Sequence, residues 1–223
     1  MLWRLVVCDL KARVGTLLLF GPVGVMGSIA FGASLGPSAG LPFLSAFLAW
    51  SHSTKMAGDD DKADLWPFLR ALPIPPAVVV GTQYVSGLIA AGLYVLLMTV
   101  AVAVASLVAP QSVPPFGFLA TLLTSLAAAA IFISLFNVFY FRLGYQLAQP
   151  IMQLLLLALP VGLIGIRVGG KRLVQWFFEV AARFGGGIGH PALLGLTMAL
   201  GAAVLTALAW AYSVSSFRRR EFP

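Results

Sequence analysis

The chain has 223 residues, of which 60% are hydrophobic and only 9% charged, so it cannot build a soluble surface of ordinary charge density but can build several membrane-crossing helices. Its formal charge of +7 comes from 14 basic residues set in small groups at the ends of apolar runs, which excludes a nucleic-acid-binding stripe and marks topology determinants instead. The single cysteine, Cys8, excludes an internal disulfide framework and any cysteine-built metal or redox site.

Met1 to Arg13 place Trp3, Val6, Val7 and Leu10 at helical spacing opposite Arg4, Asp9 and Lys11, the pattern of a helix lying along the membrane interface. No small-residue cleavage site follows it convincingly, so the first span is expected to persist. That span is predicted over about 14–35 and carries small residues every fourth position at Gly24, Ser28, Gly32 and Gly36, a ladder that lets helix backbones approach closely. A second span follows at about 38–54.

Ser51 to Pro76 is the longest connection on its side and holds Asp59, Asp60, Asp61, Lys62, Asp64 and Arg70. Asp64 suits the N-cap of a short helix within 61–74, with Pro67 in its first turn, where a missing N–H does no harm. Pro73, Pro75 and Pro76 stop it after Leu72. Trp66, Phe68, Leu69 and Leu72 give this helix more apolar surface than a solvated loop needs; they either seat a partner or tuck against the ends of the neighbouring spans.

Further apolar runs fall at about 77–108, 116–141, 145–166 and 190–213. The first of these is longer than a perpendicular span requires, so it tilts or begins outside the bilayer near Pro76. Gln146, Gln149 and Gln153 share a face of the fifth span. Between the fifth and sixth spans, residues 170–184 set Leu173, Trp176, Phe177, Val180 and Phe184 opposite Lys171, Gln175, Glu179 and Arg183, an outer amphipathic helix ended by Gly185, Gly186 and Gly187. The last span carries a second small-residue ladder at Gly195, Ala199, Ala203, Ala207 and Ala211. The expected fold is therefore all-α and polytopic: six transmembrane helices in one transmembrane domain over 1–223, with an N-terminal interfacial helix, a short cytoplasmic helix and an outer amphipathic helix.

Six spans put both termini on one side together with Arg4, Lys11, Arg13, Lys55, Lys62, Arg70, Arg142, Arg218, Arg219 and Arg220, against Arg167, Lys171, Arg172 and Arg183 on the other. This asymmetry predicts a multi-pass protein of the bacterial cytoplasmic membrane with both termini in the cytoplasm. Ionisable groups are nearly absent from the span interiors, with His52 and His190 expected at span ends, which argues against ion-coupled transport, an intramembrane protease or a metal site. The run Gly165-Ile-Arg-Val-Gly-Gly-Lys-Arg172 mimics a phosphate-binding loop but has Arg where the magnesium-binding hydroxyl belongs, so this chain is expected to bind no cofactor and to be no enzyme.

The segment Asp-Asp-Asp-Lys-Ala-Asp-Leu-Trp-Pro-Phe-Leu-Arg-Ala-Leu-Pro-Ile at 59–74, followed by Ala-Val-Val-Val-Gly-Thr-Gln-Tyr at 77–84, resembles the connection between the second and third spans of type-2 ABC exporter permeases. Phe-Tyr-Phe-Arg-Leu-Gly-Tyr-Gln-Leu-Ala-Gln at 139–149 is similar to a second signature of that family at the junction of the fourth and fifth spans, especially in small permeases of bacteriocin and amphipathic-peptide export. The chain departs from the pattern at Pro75 and Pro76, where the family commonly has Ser or Thr and a basic residue, and at Gln83, near which it often has Lys. A haem-exporter-type membrane subunit also carries a Leu-Pro-rich loop here, which leaves the cargo class open.

The resemblance implies a permease subunit of an ATP-driven exporter that moves an amphipathic or hydrophobic cargo, such as a peptide, antibiotic or lipid-like molecule. It also implies a second permease subunit, as homodimer or heterodimer, and a separate ABC ATPase subunit that holds the ATP and magnesium. The 61–74 helix would be the coupling helix: Trp66, Phe68, Leu69 and Arg70 would contact the ATPase, Asp59, Asp60, Asp61 and Lys62 would pair with it, and Asp64, Leu72 and Pro73 would frame the helix. Ser45, Phe47, Gln149 and Gln153 are the candidate conduit lining. The rival expectation is a non-transporting membrane scaffold that recruits a soluble partner through the 51–76 loop.

Overall fold

The computed structural model describes residues 2–12, 14–35, 37–63, 65, 69, 71, 73–108, 117–155 and 191–219, and those residues fold almost wholly into α-helices. In chain order these are α1 (Leu2–Ala12), α2 (Val14–Leu35), α3 (Pro37–Lys62), α4 (Pro76–Val108), α5 (Gly117–Leu143), α6 (described over 145–155) and α7 (Pro191–Arg219). Three stretches, Pro76–Val104, Leu119–Leu143 and Gly195–Arg219, are long and apolar enough to cross a membrane, and Val14–Gly27 is a shorter apolar helix.

Two boundaries show how the sequence makes these elements. Pro76 opens α4, where its fixed φ suits a first helical turn, and the Pro75 carbonyl accepts from Val78 N–H at 2.9 Å. With 33 residues α4 is about 50 Å long, well beyond the hydrocarbon thickness, so the expectation of an over-long third span holds for its length. At the other junction Gly144 takes φ 86° and its N–H bonds the Tyr140 carbonyl at 2.9 Å, a left-handed cap that ends α5 and lets α6 start at the next residue.

The helices are joined through small residues and neutral polar pairs. A Cβ at Gly24 would lie 2.7 Å from Leu48 Cδ1 and one at Gly27 3.0 Å from Leu44 Cδ2, so Gly24 of the first ladder and Gly27 beside it seat α2 on α3 of the same chain. A Cβ at Gly195 would lie 3.1 Å from the Ala120 Cα, which fixes α7 against the α5 backbone. Ser45 Oγ donates to the Ser125 carbonyl at 2.9 Å, Ser134 Oγ lies 3.0 Å from Thr206 Oγ1, and the Tyr84 and Ser213 hydroxyls bond at 2.9 Å, linking α3 to α5, α5 to α7 and α4 to α7. In hydrocarbon, where helix association gains little from apolar burial, such bonds and close backbone approaches hold a bundle together.

The largest buried cluster lies toward the end of the bundle where α3 gives way to α4 and α5 to α6. Ala57, Val79, Val80, Tyr84, Phe136, Tyr140, Phe141, Ala148, Met152 and Phe217 draw five helices together there. A second cluster of Leu41, Leu44, Leu48, Ala90, Tyr94, Val95 and Met98 joins α3 to α4. His52 sits inside α3, only 1% exposed, with Tyr94 OH 3.2 Å from its Nδ1. The helix continues past it because α3 runs on to Lys62, about two turns beyond the expected end at 54.

Candidate functional site

The last three turns of α3 leave the apolar zone and carry Ser51, Thr54, Lys55, Asp59, Asp60, Asp61 and Lys62. Three aspartates at a helix C-terminus oppose the negative end of the macrodipole. The structure shows what offsets this: Lys55 Nζ is 3.4 Å from Asp59 Oδ2 one turn back, and Gln83 Nε2 of α4 donates to Asp60 Oδ2. Asp60 is therefore turned inward, 5% exposed, while Asp59, Asp61 and Lys62 face outward. Ala63 N–H closes on the Asp59 carbonyl at 3.1 Å, the last helical bond before the connector to α4.

Two described residues of the connector are packed against the bundle. Leu69 and Ile74 pack against the buried cluster of the five helices. Leu65 and Leu69 also line a cavity of about 260 Å³ with Leu5, Cys8 and Asp9 of α1, Asp60 of α3 and Val79, Thr82 and Gln83 of α4. α1 closes this corner with Val6, which is fully buried, while Trp3, Arg4 and Lys11 remain exposed. α1 thus divides its apolar residues, Val6 into the protein and Trp3 outward. Of the expected coupling residues, Asp64, Trp66, Phe68, Arg70 and Leu72 lie outside the described residues; Pro73 is exposed.

A second cavity, about 310 Å³, lies on another face of the same end of α3, lined by Trp50, Ser51, Thr54, Lys55, Gly58, Asp59 and Lys62 of α3 and by Tyr145 of α6. Gly58 makes it possible: a Cβ there would stand 2.8 Å from the Tyr145 hydroxyl oxygen and 2.9 Å from Cζ. None of Trp50, Thr54, Gly58 and Tyr145 is among the expected site residues, because they converge only if α3 remains helical past 54. The spacing of Trp50, Thr54 and Gly58 along α3, continued by Lys62, is the signal that a longer helix in the sequence reading exposes.

The candidate conduit residues separate. Ser45 is 1% exposed, its hydroxyl held between α3 and α5. Phe47 is 37% exposed and stacks at a tilt on Trp50, with ring centroids 5.7 Å apart. Gln153 is exposed and Gln149 half-buried, on the side of α6 away from Ala148 and Met152, which are fully buried. An apolar groove of about 780 Å³ lies instead between α4, α5 and α7, walled by residues such as Val85, Leu88, Ala130, Ala203, Ala207 and Trp210. The last-span ladder is thus divided: Gly195 packs on α5 while Ala203 and Ala207 line the groove. The outer helix 170–184 and the expected remainder of the fifth span lie outside the described residues.

A family model described as ABC-2 family transporter protein matches residues 9–218. No curated protein and no solved structure matches the chain.

Proposed function

The chain belongs to the ABC-2 family of transporter proteins and is a multi-pass permease; on that footing we propose that it is the six-span transmembrane subunit of an exporter powered by a separate ABC ATPase. In this reading the described spans are joined by the fifth, both termini lie in the cytoplasm, and the α3–α4 connector faces the ATPase. A second permease subunit completes the conduit, and the cargo is amphipathic or hydrophobic. Phe47 and Gln153, which are exposed, and Gln149, which is half-buried, are the part of the expected conduit lining that the chain's own core leaves open.

The observation that carries the coupling role is the mounting of the connector. It leaves α3 at Lys62 and returns at Pro76, and the two helices are bonded through Asp60, about half a turn before Lys62, and Gln83, about two turns after Pro76. The buried cluster holds Leu69, which faces α1 across a cavity. A displacement of residues 63–75 would therefore move α3 and α4 as a pair, and those helices reach through the second buried cluster to Leu41 and Met98. Rigid helices with a stiff joint are what turning a partner's closure into a rearrangement of the spans requires.

The test is co-expression with a candidate ABC ATPase and the substitution Phe68→Asp. Loss of co-purification, together with loss of permease-stimulated ATP hydrolysis in the reconstituted complex, is expected. Unchanged pulldown and unchanged hydrolysis would refute the coupling role. Leu69→Asp is the poorer probe, since Leu69 packs on the chain's own core.

A further inference from the structure

The three helices long and apolar enough to cross a membrane, α4, α5 and α7, enclose the apolar groove of about 780 Å³. Contacts between them fix where it runs. Tyr84 of α4 is bonded to Ser213 of α7, a Cβ at Gly87 would lie 3.4 Å from Ile133 of α5, and Ser134 beside it is bonded to Thr206, so α7 runs antiparallel to α4. Arg218, beyond Ser213, therefore stands at the same end of the bundle as Ala77, where the groove begins. From Ala77 the groove follows α4 to Ala91, about 21 Å, and on α7 it covers Ala199 to Trp210, about 16 Å. One turn beyond Ala199 it is blind, because a Cβ at Gly195 would lie 3.1 Å from the Ala120 Cα and the backbones of α7 and α5 are in contact there.

Length and lining both point to one kind of occupant. A hydrocarbon core about 30 Å thick gives each leaflet about 15 Å, so a groove that starts at a helix end and closes after about 16–21 Å matches the depth of one leaflet. A partner's spanning helix crosses both leaflets and would find a seat for only about half its length. The polar side chains of the lining have little to offer a polar ligand: the Tyr84 hydroxyl is bonded to Ser213 at 2.9 Å, Thr206 lies 3.0 Å from Ser134 Oγ, and Trp210 adds only an indole at the exposed rim. Ala203 and Ala207 are exposed, so the groove opens sideways into lipid. Left unfilled, its walls would forfeit their dispersion contacts, and what surrounds them is hydrocarbon chain. Arg218 is also exposed and stands three turns beyond Ala207 on the same side of α7, a guanidinium at the end where headgroup phosphates lie.

We propose that this groove is a binding site for one acyl chain of a membrane phospholipid, taken from the leaflet at the Arg219 end of the bundle, with the lipid's phosphate on the side of Arg218. The small side chains of α5 and α7 leave the room that the chain fills. The groove lies on other helices than Phe47 of α3 and Gln149 and Gln153 of α6, so the lipid is a bound constituent of the permease and not its cargo.

Native mass spectrometry and thermal melting of the purified chain in a non-ionic detergent test this. Dioleoyl phosphatidylcholine and its short-chain dioctanoyl counterpart are titrated against the wild type, the filled variant Ala203→Leu with Ala207→Leu, and Gly201→Leu. Gly201 is exposed on α7 with nothing within 4 Å of its Cβ position, so leucine there adds bulk to the same helix without entering the groove. The expected result is a single dioleoyl lipid held by the wild type and by Gly201→Leu, with a raised melting temperature and weaker binding of the dioctanoyl lipid. In the filled variant the affinity for the dioleoyl lipid falls by at least about tenfold and the preference for the longer chain disappears. Ala203→Leu alone is the milder variant and decides the matter where the double substitution fails to fold. Dioleoyl binding unchanged in the filled variant, no difference between the two chain lengths in the wild type, or no bound lipid at all overturns the proposal. A wild-type dimer that dissociates in the filled variant while lipid binding persists also overturns it, and assigns the groove to a second copy of the chain.

Discussion

Replacing Gln83 with Leu removes the amide that donates to the Asp60 carboxylate while keeping the size of the side chain. Asp60 is 5% exposed, so water replaces the lost donor poorly, and the cost is that of one charge-assisted bond, about 1.5–3 kcal/mol. Asp60 keeps further interactions within the chain, which is why the loss stays within that range instead of reaching that of an isolated buried charge. Asp60→Asn has a different balance. It weakens the bond to Gln83 but also removes one negative charge from the C-terminal end of α3, a relief of about 0.3–1 kcal/mol from the macrodipole, so it should be nearly neutral. Reversible unfolding of the purified chain in mixed detergent measures both. Gln83→Leu should shift the folded-to-unfolded ratio by about tenfold to a hundredfold and Asp60→Asn by a few-fold at most. If Gln83→Leu unfolds with wild-type stability, or Asp60→Asn is the more damaging of the two, the tie between α3 and α4 does not have the role given to it.

Four further outcomes are expected. Gly58→Ala should destabilise by about 1–3 kcal/mol because its Cβ meets the Tyr145 ring, and Tyr145→Ala in the same chain should recover most of that loss in a double-mutant cycle of chemical denaturation. Gly195→Leu should be at least as damaging, since the obstacle there is the Ala120 backbone rather than a movable ring; the same denaturation series compares them. Tyr84→Phe and Ser213→Ala should show a coupling energy of about 0.6–1.7 kcal/mol, and a coupling near zero would mean that the buried hydroxyl pair adds nothing to the joining of α4 and α7. Cys8, exposed on α1, should react with a membrane-impermeant maleimide in inverted membrane vesicles and not in intact cells; labelling from the outside would reverse the proposed orientation.

Apolar run length determined a great deal of this protein before any tertiary contact was known. The transfer of about 20 consecutive apolar residues into hydrocarbon is a sum over neighbours in sequence, so Val14–Leu35, Pro76–Val108, Gly117–Leu143 and Pro191–Arg219 appear as helices close to where the composition puts them. The amphipathic α1, the proline-opened α4 and the glycine between α5 and α6 are equally local, each fixed by residues within a turn of one another. The end of α3 and the sites beside it could not be read this way. Three aspartates in a row look like the end of a helix, and they remain helical because Gln83, 23 residues further on, bonds Asp60, and because Gly58 admits Tyr145 from another helix. Ser45 is a conduit candidate by its place in the sequence, and only the packed bundle shows its hydroxyl donating to a carbonyl 80 residues away. Solvent transfer is additive along the chain and so is written in the sequence, whereas the direction a polar side chain faces depends on which distant donor or backbone group is brought within about 3 Å, and only the packed bundle supplies that.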